Sequence, residues 1–436
     1  MQRYDSYKDS GVDWLGEIPG HWEMRANRVL FQERNEPGNA NLPILSVSLH
    51  TGVSDKEKDD EDNARTRNRI ADKTAYRRVR CGDVAYNMMR AWQGAIGAVR
   101  VDGMVSPAYV VAAPRVAMNP DFFEYQYRTD LVIREMDRAS KGITDFRKRL
   151  YWNEFKQMST IVPPRGDQDR IVAFLDQKTA EIDAAIAKKE RLIELLQEQK
   201  SILINQAVTR GLNPDVPLRD SGVEWIGQIP AHWKTTFLKH VSLVQSGVTL
   251  GKNYGTGPGI KAYPYLRVAN VQDGFLDLTE ITEIRIPVQD AQNYMLKVND
   301  LLVTEGGDID KLGRGSCWHG EITECIHQNH VFAVRVTKDT VDPEFISLIT
   351  GVDFARRYFT TTANKTTNLA STNKTKLGNL PLLLPSLDEQ KNILAYCTEL
   401  RNRFDEIFKR EMNSVSALKN MSAALIASAV TGKIKV

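Results

Sequence analysis

The chain is poor in the features that mark secretion, membrane insertion or metal-bound chemistry. Its four cysteines, Cys81, Cys317, Cys325 and Cys397, include no Cys-x-x-Cys pair, which argues against a disulfide scaffold and suits a reducing cytoplasm. No apolar run approaches the roughly 18 residues a membrane helix needs, and the densest, "LPLLLP", is bracketed by prolines. The opening "MQRYDSYKDS" is polar and lacks the apolar stretch of a signal peptide. A cytoplasmic protein without membrane contact is therefore expected. Net charge is only +3 over 436 residues, so any basic binding surface must be local. Apolar residues at 42% and charged residues at 26% are ordinary for a globular protein, and the length predicts two to three domains.

Catalytic motifs are scarce as well. Neither "MNPDFF" nor "LNPDVP" supplies the Asn-Pro-Pro-aromatic loop of an amino-group methyltransferase. "GVTLGKN" at Gly247 is one residue short of a phosphate-binding loop and lacks its Ser/Thr. Glu198-Gln-Lys200 and Glu389-Gln-Lys391 imitate part of a nuclease motif but lie in helical pattern, with no strand to present them. Cys317, His319, Cys325 and His327 could form a zinc site, but their spacing differs from ordinary zinc spacings and Cys is often simply buried. No metal is expected.

What the chain does have is a repeat. "DSGVDWLGEIPGHW" (9–22) returns as "DSGVEWIGQIPAHW" (220–233), identical at ten of fourteen positions with an offset of 211. "PPRGDQDRIVAFLD" (163–176) returns as "PSLDEQKNILAYCT" (385–398) at an offset of 222, and "ILINQAVT" (202–209) as "ALIASAVT" (424–431) at that same offset. Between the last two, steps of three and four trace a heptad seam: Val172, Leu175, Thr179, Ile182, Ile186, Lys189, Ile193, Leu196, Lys200, Leu203 and Ala207. Shifted by 222, the seam reads Leu394, Cys397, Arg401, Phe404, Phe408, Glu411, Val415, Leu418, Ser422, Leu425 and Ala429. Each half thus ends in a helix of about 40 residues, roughly 60 Å long, and "SLDE" (386–389) has capping-box spacing at the start of the second. Equal halves related by a two-fold axis would set these helices antiparallel. Lys189 would then meet its own counterpart, Glu411, and a polar seam pair of that kind sets register.

The middles, 23–162 and 234–384, share marks of a small mixed domain. "GDVAYNMM" pairs with "NDLLVTEG", "AYVVAAP" with "HVFAVRV", and "NPDFFEYQY" with "DPEFISLI". Elsewhere they diverge. The order of phrase, middle and "PP…Q…I" helix, twice over, resembles the specificity subunit of type I restriction–modification systems across essentially the whole chain.

That resemblance implies an α+β fold: two pseudo-repeated target-recognition domains separated by a pair of long antiparallel helices, a coiled coil. The expected boundaries are 1–165 and 213–384 for the recognition domains, with spacer helices at 166–212 and 385–436. It implies a non-catalytic chain in which each domain reads one half of a split site in double-stranded DNA. Two methyltransferase subunits would dock on the repeats, and restriction subunits would join through them. S-adenosylmethionine, ATP and Mg²⁺ would be bound by those partners, leaving no cofactor in this chain. Trp14 and Trp225, with Ile18–Pro19 and Ile229–Pro230, are expected to wedge each domain against the helix ends, and His21 and His232 to be packed and hydrogen-bonded.

Local basic stretches nominate the DNA contacts. "KGITDFRKRLYWNEFK" (141–156) carries five basic against two acidic groups and contains Lys141, Arg147, Lys148 and Arg149. "TTANKTTNLASTNKTK" (361–376) has three lysines, three asparagines, seven hydroxyls and no acid, and contains Asn364, Lys365, Asn373 and Lys374. Arg90 and Trp92, Lys252, Asn253 and Tyr254 on a Gly-rich loop, and Lys311 and Arg314 complete the set. Lysines, amides and hydroxyls suit phosphate, while Arg and Asn can read guanine and adenine edges. The acidic block at 54–69 is expected to be a solvated loop. The rival reading is a two-headed coiled-coil adaptor that binds only proteins.

Overall fold

A computed structural model describes residues 2–39, 41–55, 73–142, 148–249, 251, 255, 257–307, 309, 312–365 and 369–436. The chain divides into two compact units, Met1–Glu190 with Glu411–Val436, and Arg191–Arg410. Both long helices, Arg165–Arg210 and Leu387–Val430, cross a unit boundary in the chain. Each unit therefore holds the start of one helix and the end of the other. No helix of the described residues is long and apolar enough to cross a membrane.

The first unit is built on a four-stranded antiparallel sheet, ordered Phe31–Glu33, Tyr109–Pro114, Val84–Asn87, Ile96–Ala98. The second unit repeats that order with Ser242–Ser246, Val331–Val336, Leu301–Thr304, Gly315–Cys317. Successive side chains of a strand point to opposite faces, and here both faces are covered. Val84, Tyr86, Val110 and Ala112 pack into the core shared with the helices, whereas Ala85, Tyr109 and Val111 enter a second core. In the second unit Leu301, Val303, Phe332 and Val334 face the helical core, and Leu302, Val331 and Ala333 face the other. Two-sided burial is why these strands read as continuous apolar runs.

The helical face is the repeated one. Each sheet is followed by two short helices, Pro120–Tyr127 and Asp130–Ala139 in one unit, Pro343–Thr350 and Asp353–Thr362 in the other. Asn119 and Asp342 cap the first of each pair, accepting from Asp121 N and Glu344 N, with proline at the first helical position. A last strand pairs with one near the start of the middle: Ser159–Val162 with Glu23–Ala26, and Pro381–Leu384 with Lys234–Phe237.

The opposite face is where the halves part. In the first unit it is covered by the short strands Val47–Ser48, Gly52–Val53, Arg77–Val79 and Gly103–Val105. In the second, a three-stranded sheet of Thr282–Pro287, Ile260–Leu266 and Ile326–His327 belongs to the inserted region. Most of the acidic block, 56–69, lies outside the described residues.

Within each unit the long helices run antiparallel. Lys189 Nζ donates to Glu411 Oε2 at 2.7 Å in the first unit, where Leu175 and Ala429 share a core. Lys200 Nζ donates to Asp405 Oδ1 at 2.7 Å in the second, where Ala207 and Ile393 share one. The seam positions Val172, Leu175, Ile182, Cys397, Phe404 and Val415 are buried, while Leu192, Leu195 and Met412, off the seam, are exposed.

Candidate nucleic-acid interface and the clamps that position it

The repeated phrase closes on the helix ends. Trp22 is fully buried, and its indole N–H donates to Asp167 Oδ2 at 3.0 Å; His21 Nε2 donates to that same oxygen at 2.8 Å. Trp233 and His232 meet Glu389 Oε1 at 3.3 and 2.9 Å. Asp167 and Glu389 stand in the first turns of the two long helices, where a carboxylate also suits the helix dipole. The opposite helix end rests on the same indole. A Cβ on Gly432 (φ +72) would lie 2.9 Å from the Trp22 ring and 2.3 Å from Pro19, and one on Gly211 (φ +75) would lie 3.2 Å from the Trp233 ring. Each indole thus joins the start of one helix to the end of the other, the contact that "HW" and the post-helical glycines repeat to make. Trp14 and Trp225, expected as the wedges, are only half-buried against these cores. Their place at the helix ends is taken by Trp22 and Trp233, whose ring N–H can reach the helix-start carboxylate.

The shared glutamine has an equally definite task. Gln168 Oε1 accepts from Asn119 N at 2.8 Å and Gln168 Nε2 donates to Pro163 O at 2.8 Å. Gln390 repeats this with Asp342 N at 2.9 Å and Pro385 O at 3.0 Å. Ser386 and Glu389 form the reciprocal capping bonds, Ser386 N to Glu389 Oε2 at 3.2 Å and Glu389 N to Ser386 Oγ at 3.3 Å. The first helix has Pro164 at that place, and Asp167 still receives His21 and Trp22.

Burial pushes the Asp167 carboxyl up, but hydrogen bonds from His21 and Trp22 and the charge of Arg170 outweigh it and hold the group below its usual value. Glu389 is likewise held low, burial being outweighed by His232, Trp233 and Ser386. A carboxylate depressed in the folded state stabilises it above the ordinary carboxyl pKa, and that contribution fades as pH falls through the folded value. The clamps should therefore weaken below about pH 4. Thermal midpoints of wild type and of Asp167→Asn/Glu389→Gln, followed between about pH 5 and 3, should converge as the acid limit is approached. A constant gap would remove the carboxylates from that role.

The nominated cations of the first unit gather beyond its central strand. Lys141 and Arg149 form a two-way backbone bridge (2.9 and 2.8 Å), and Leu150 N donates to Met88 O at 2.8 Å. This ties the 148–150 segment to the turn that carries Arg90 and Trp92. Lys148 Nζ lies 5.3 Å from the centre of the Trp92 ring and donates to Asp137 at 2.7 Å; Lys141 pairs with Glu154. The Trp92 N–H is satisfied by Met89 O at 2.9 Å. Arg147 lies outside the described residues.

In the second unit Asn364–Lys365 pairs with Ala370–Ser371, which pairs with Gly306–Gly307. Thr372 N donates to Glu305 O at 2.8 Å, the counterpart of the Leu150–Met88 bond. Asn364 accepts from Lys376 Nζ at 2.6 Å, and Asn373 caps the next short helix through Lys376 N at 2.9 Å. Arg314, opposite Thr304, donates to Gln272 at 3.0 Å. Lys365 and Lys374 are exposed and make no ion pair among the described residues. Lys252, Asn253, Tyr254 and Lys311 lie outside them. Both basic stretches thus occupy the same place in their units, after the second short helix and against the end of the central strand.

The four residues with possible zinc-ligand chemistry, Cys317, His319, Cys325 and His327, each have other surroundings. Cys317 and Cys325 are buried in different cores, His327 donates to Val331 O at 2.6 Å, and His319 faces Glu344 at 3.3 Å. No group of three or more potential ligands is found among the described residues.

No family model matches the sequence. The chain is 24% identical over 289 residues to the EcoKI type I restriction enzyme specificity subunit of Escherichia coli K12, covering 64% of this chain and 58% of that one. It is 27% identical over 287 residues to the EcoBI specificity subunit of Escherichia coli, covering 63% and 58%. It resembles the specificity subunits of type I restriction enzymes. The chain spans 48% to 58% of the length of the curated relatives it matches. In fold it matches a chain from a structure concerned with complex assembly and conformational transition of the type I R-M system, at TM-score 0.70 and 15% identity, over 96% of this chain and 99% of that one. The HsdS subunit from Thermoanaerobacter tengcongensis matches at TM-score 0.55 and 17% identity, over 96% and 98%.

Proposed function

We propose that this chain is the sequence-specific DNA-recognition subunit of a type I restriction–modification complex. It reads a bipartite double-stranded site, residues 1–165 addressing one half and 213–384 the other, with the helices at 166–212 and 385–436 as the spacer. The chain performs no chemistry. It docks two methyltransferase subunits, which bind S-adenosylmethionine, and restriction subunits with their ATP and Mg²⁺ join through that complex in the cytoplasm.

One observation carries this reading. In both units the same clamp, Trp22–Asp167 or Trp233–Glu389, fastens the same sheet and helices, while the opposite sheet face bears unrelated segments. A kept framework with divergent surfaces is what two like enzyme partners and two unlike DNA sequences require. The test is the methylation pattern of DNA from a host expressing the chain with and without its cognate methyltransferase subunit. A split motif should appear only with both. Exchanging residues 23–162 for the middle of a relative should alter one half of it. A stable complex that leaves no motif would favour the protein-only adaptor.

A further inference from the structure

Of the four described cations at the edge of the first unit, two already serve the fold. Lys141 is neutralised by Glu154, and Lys148 by Asp137 while it covers Trp92. Arg90 and Arg149 differ. Both are exposed, and neither side chain makes an ion pair or hydrogen bond among the described residues. Their backbones are nevertheless held firmly. Arg90 N donates to Asn87 O at 3.0 Å, and Arg90 O accepts from Gln93 N and Ala95 N at 2.9 and 3.1 Å. Arg149 is fixed by its two-way bridge to Lys141, and the next residue is bonded to Met88, two positions before Arg90.

The second unit shows what these positions become on the same framework. The bond from Leu150 N to Met88 O corresponds to that from Thr372 N to Glu305 O, so Arg149 corresponds to Ser371 and Arg90 to Gly307. The DNA backbone is the same in both half-sites, and a position devoted to phosphate would keep a cation in both units. A position devoted to a base changes with the base. Arginine is also the side chain whose planar fork pairs with guanine O6 and N7 in a fixed geometry, which the flexible point charge of lysine does not enforce.

We infer that Arg90 and Arg149 are guanine-reading residues of the first unit, with Lys141, Lys148 and Trp92 as positioning residues that hold their edge. This rests on the DNA-recognition reading above. It commits the half-site addressed by residues 1–165 to contain guanine at the positions these two arginines face.

The test compares wild type, Arg90→Lys, Arg149→Lys and the two alanine variants, each assembled with the cognate methyltransferase subunit, by methylation sequencing and by DNA binding over a salt series. Both arginines are exposed, so thermal midpoints should stay at the wild-type value. The half-site assigned to the first unit by middle exchange should contain guanine. Each alanine variant should lose roughly 5- to 150-fold of the preference for guanine at one position of that half, and each lysine variant a smaller part of it at an unchanged salt slope, with the other half unaffected. Lysine variants that keep the full motif, with alanine variants that bind all sequences more weakly and with a shallower salt slope, would make these arginines phosphate contacts and overturn the assignment. A first half-site without guanine would overturn it too. A wild-type complex with no motif at all would overturn the underlying reading instead.

Discussion

Trp22→Ala is expected to destabilise the first unit by about 3–5 kcal/mol, and Trp233→Ala the second by a similar amount. Both indoles are buried, at 0% and 2% exposure, so alanine leaves a cavity the size of a ring system. The loss exceeds ordinary core truncation in its consequences, because three segments meet at each ring. At Trp22 these are the repeated phrase, the Asp167 turn and the Gly432 turn. Removing the ring N–H also takes a donor from a carboxylate that is itself largely buried, with a side-chain exposure of 10%. Urea unfolding of the full-length chain, followed by near-ultraviolet circular dichroism, reads the effect. Trp14→Ala is the control: half-buried, it should cost about a third as much. Equal losses at Trp14 and Trp22 would mean that the indole contributes only area and clamps nothing.

The second large effect belongs to Asp83 and Asp300, buried at 1% and 0% exposure just before each central strand. Each accepts a fork of two bonds from an arginine: Arg335 lies on the adjacent strand Val331–Val336, and Arg34 follows Phe31–Glu33, one strand further across its sheet. Arg34 Nε and Nη2 reach Asp83 at 2.9 and 3.1 Å, and Arg335 Nε and Nη2 reach Asp300 at 2.7 and 2.6 Å. Each also accepts a backbone N–H three residues back, from Arg80 at 2.9 Å and Lys297 at 2.8 Å. Burial raises the Asp83 carboxyl above its ordinary value despite Arg34, whereas the bond to Asp300 chiefly raises the Arg335 guanidinium. Replacing Asp300 by alanine strands the Arg335 charge and should cost about 3–5 kcal/mol; Asp83→Ala should cost less, because Arg34 keeps its pairing with Glu36. In the double variant Asp300→Ala/Arg335→Met no charge is stranded, and much of that loss should return. If the double variant is as unstable as the single one, the backbone bond to Lys297, and not the ion pair, dominates.

The turn that presents these aspartates shows how far sequence reading reached. "GDVAYNMM" and "NDLLVTEG" were legible as equivalent strands, and Gly82 (φ +94) and Asn299 (φ +69) both adopt the left-handed conformation that those residue types tolerate. Their partners, Arg34 and Arg335, were not legible. One precedes Asp83 by 49 positions and the other follows Asp300 by 35, so no common spacing joins them. The same limit applies to the clamp. An acid recurs four residues after Pro163 and Pro385, yet nothing in spacing connects it to the "HW" some 146 or 157 positions earlier. Trp14 and Trp22 both recur in the phrase, and only packing tells the half-buried indole from the buried one.

The candidate contacts divide in a similar way. Composition located the two stretches, and the fold placed both against the end of a central strand. Which cations are free was decided by neighbours that composition could not weigh: Glu154 and Asp137 occupy Lys141 and Lys148, and nothing among the described residues occupies Arg90 or Arg149.

By itself the sequence determined the duplication, the helical seams with Lys189 and Glu411 at equivalent places, and the contrast between a kept framework and varied middles. These are properties of order and period, which a linear chain carries directly. The tertiary structure alone decided that each unit is assembled from the start of one long helix and the end of the other. It decided that one indole joins those two ends, and that the two faces of each sheet separate the shared core from the divergent one. The physical reason is that burial and hydrogen-bond satisfaction are set by residues distant in the chain, whose meeting is paid for only when the whole core forms.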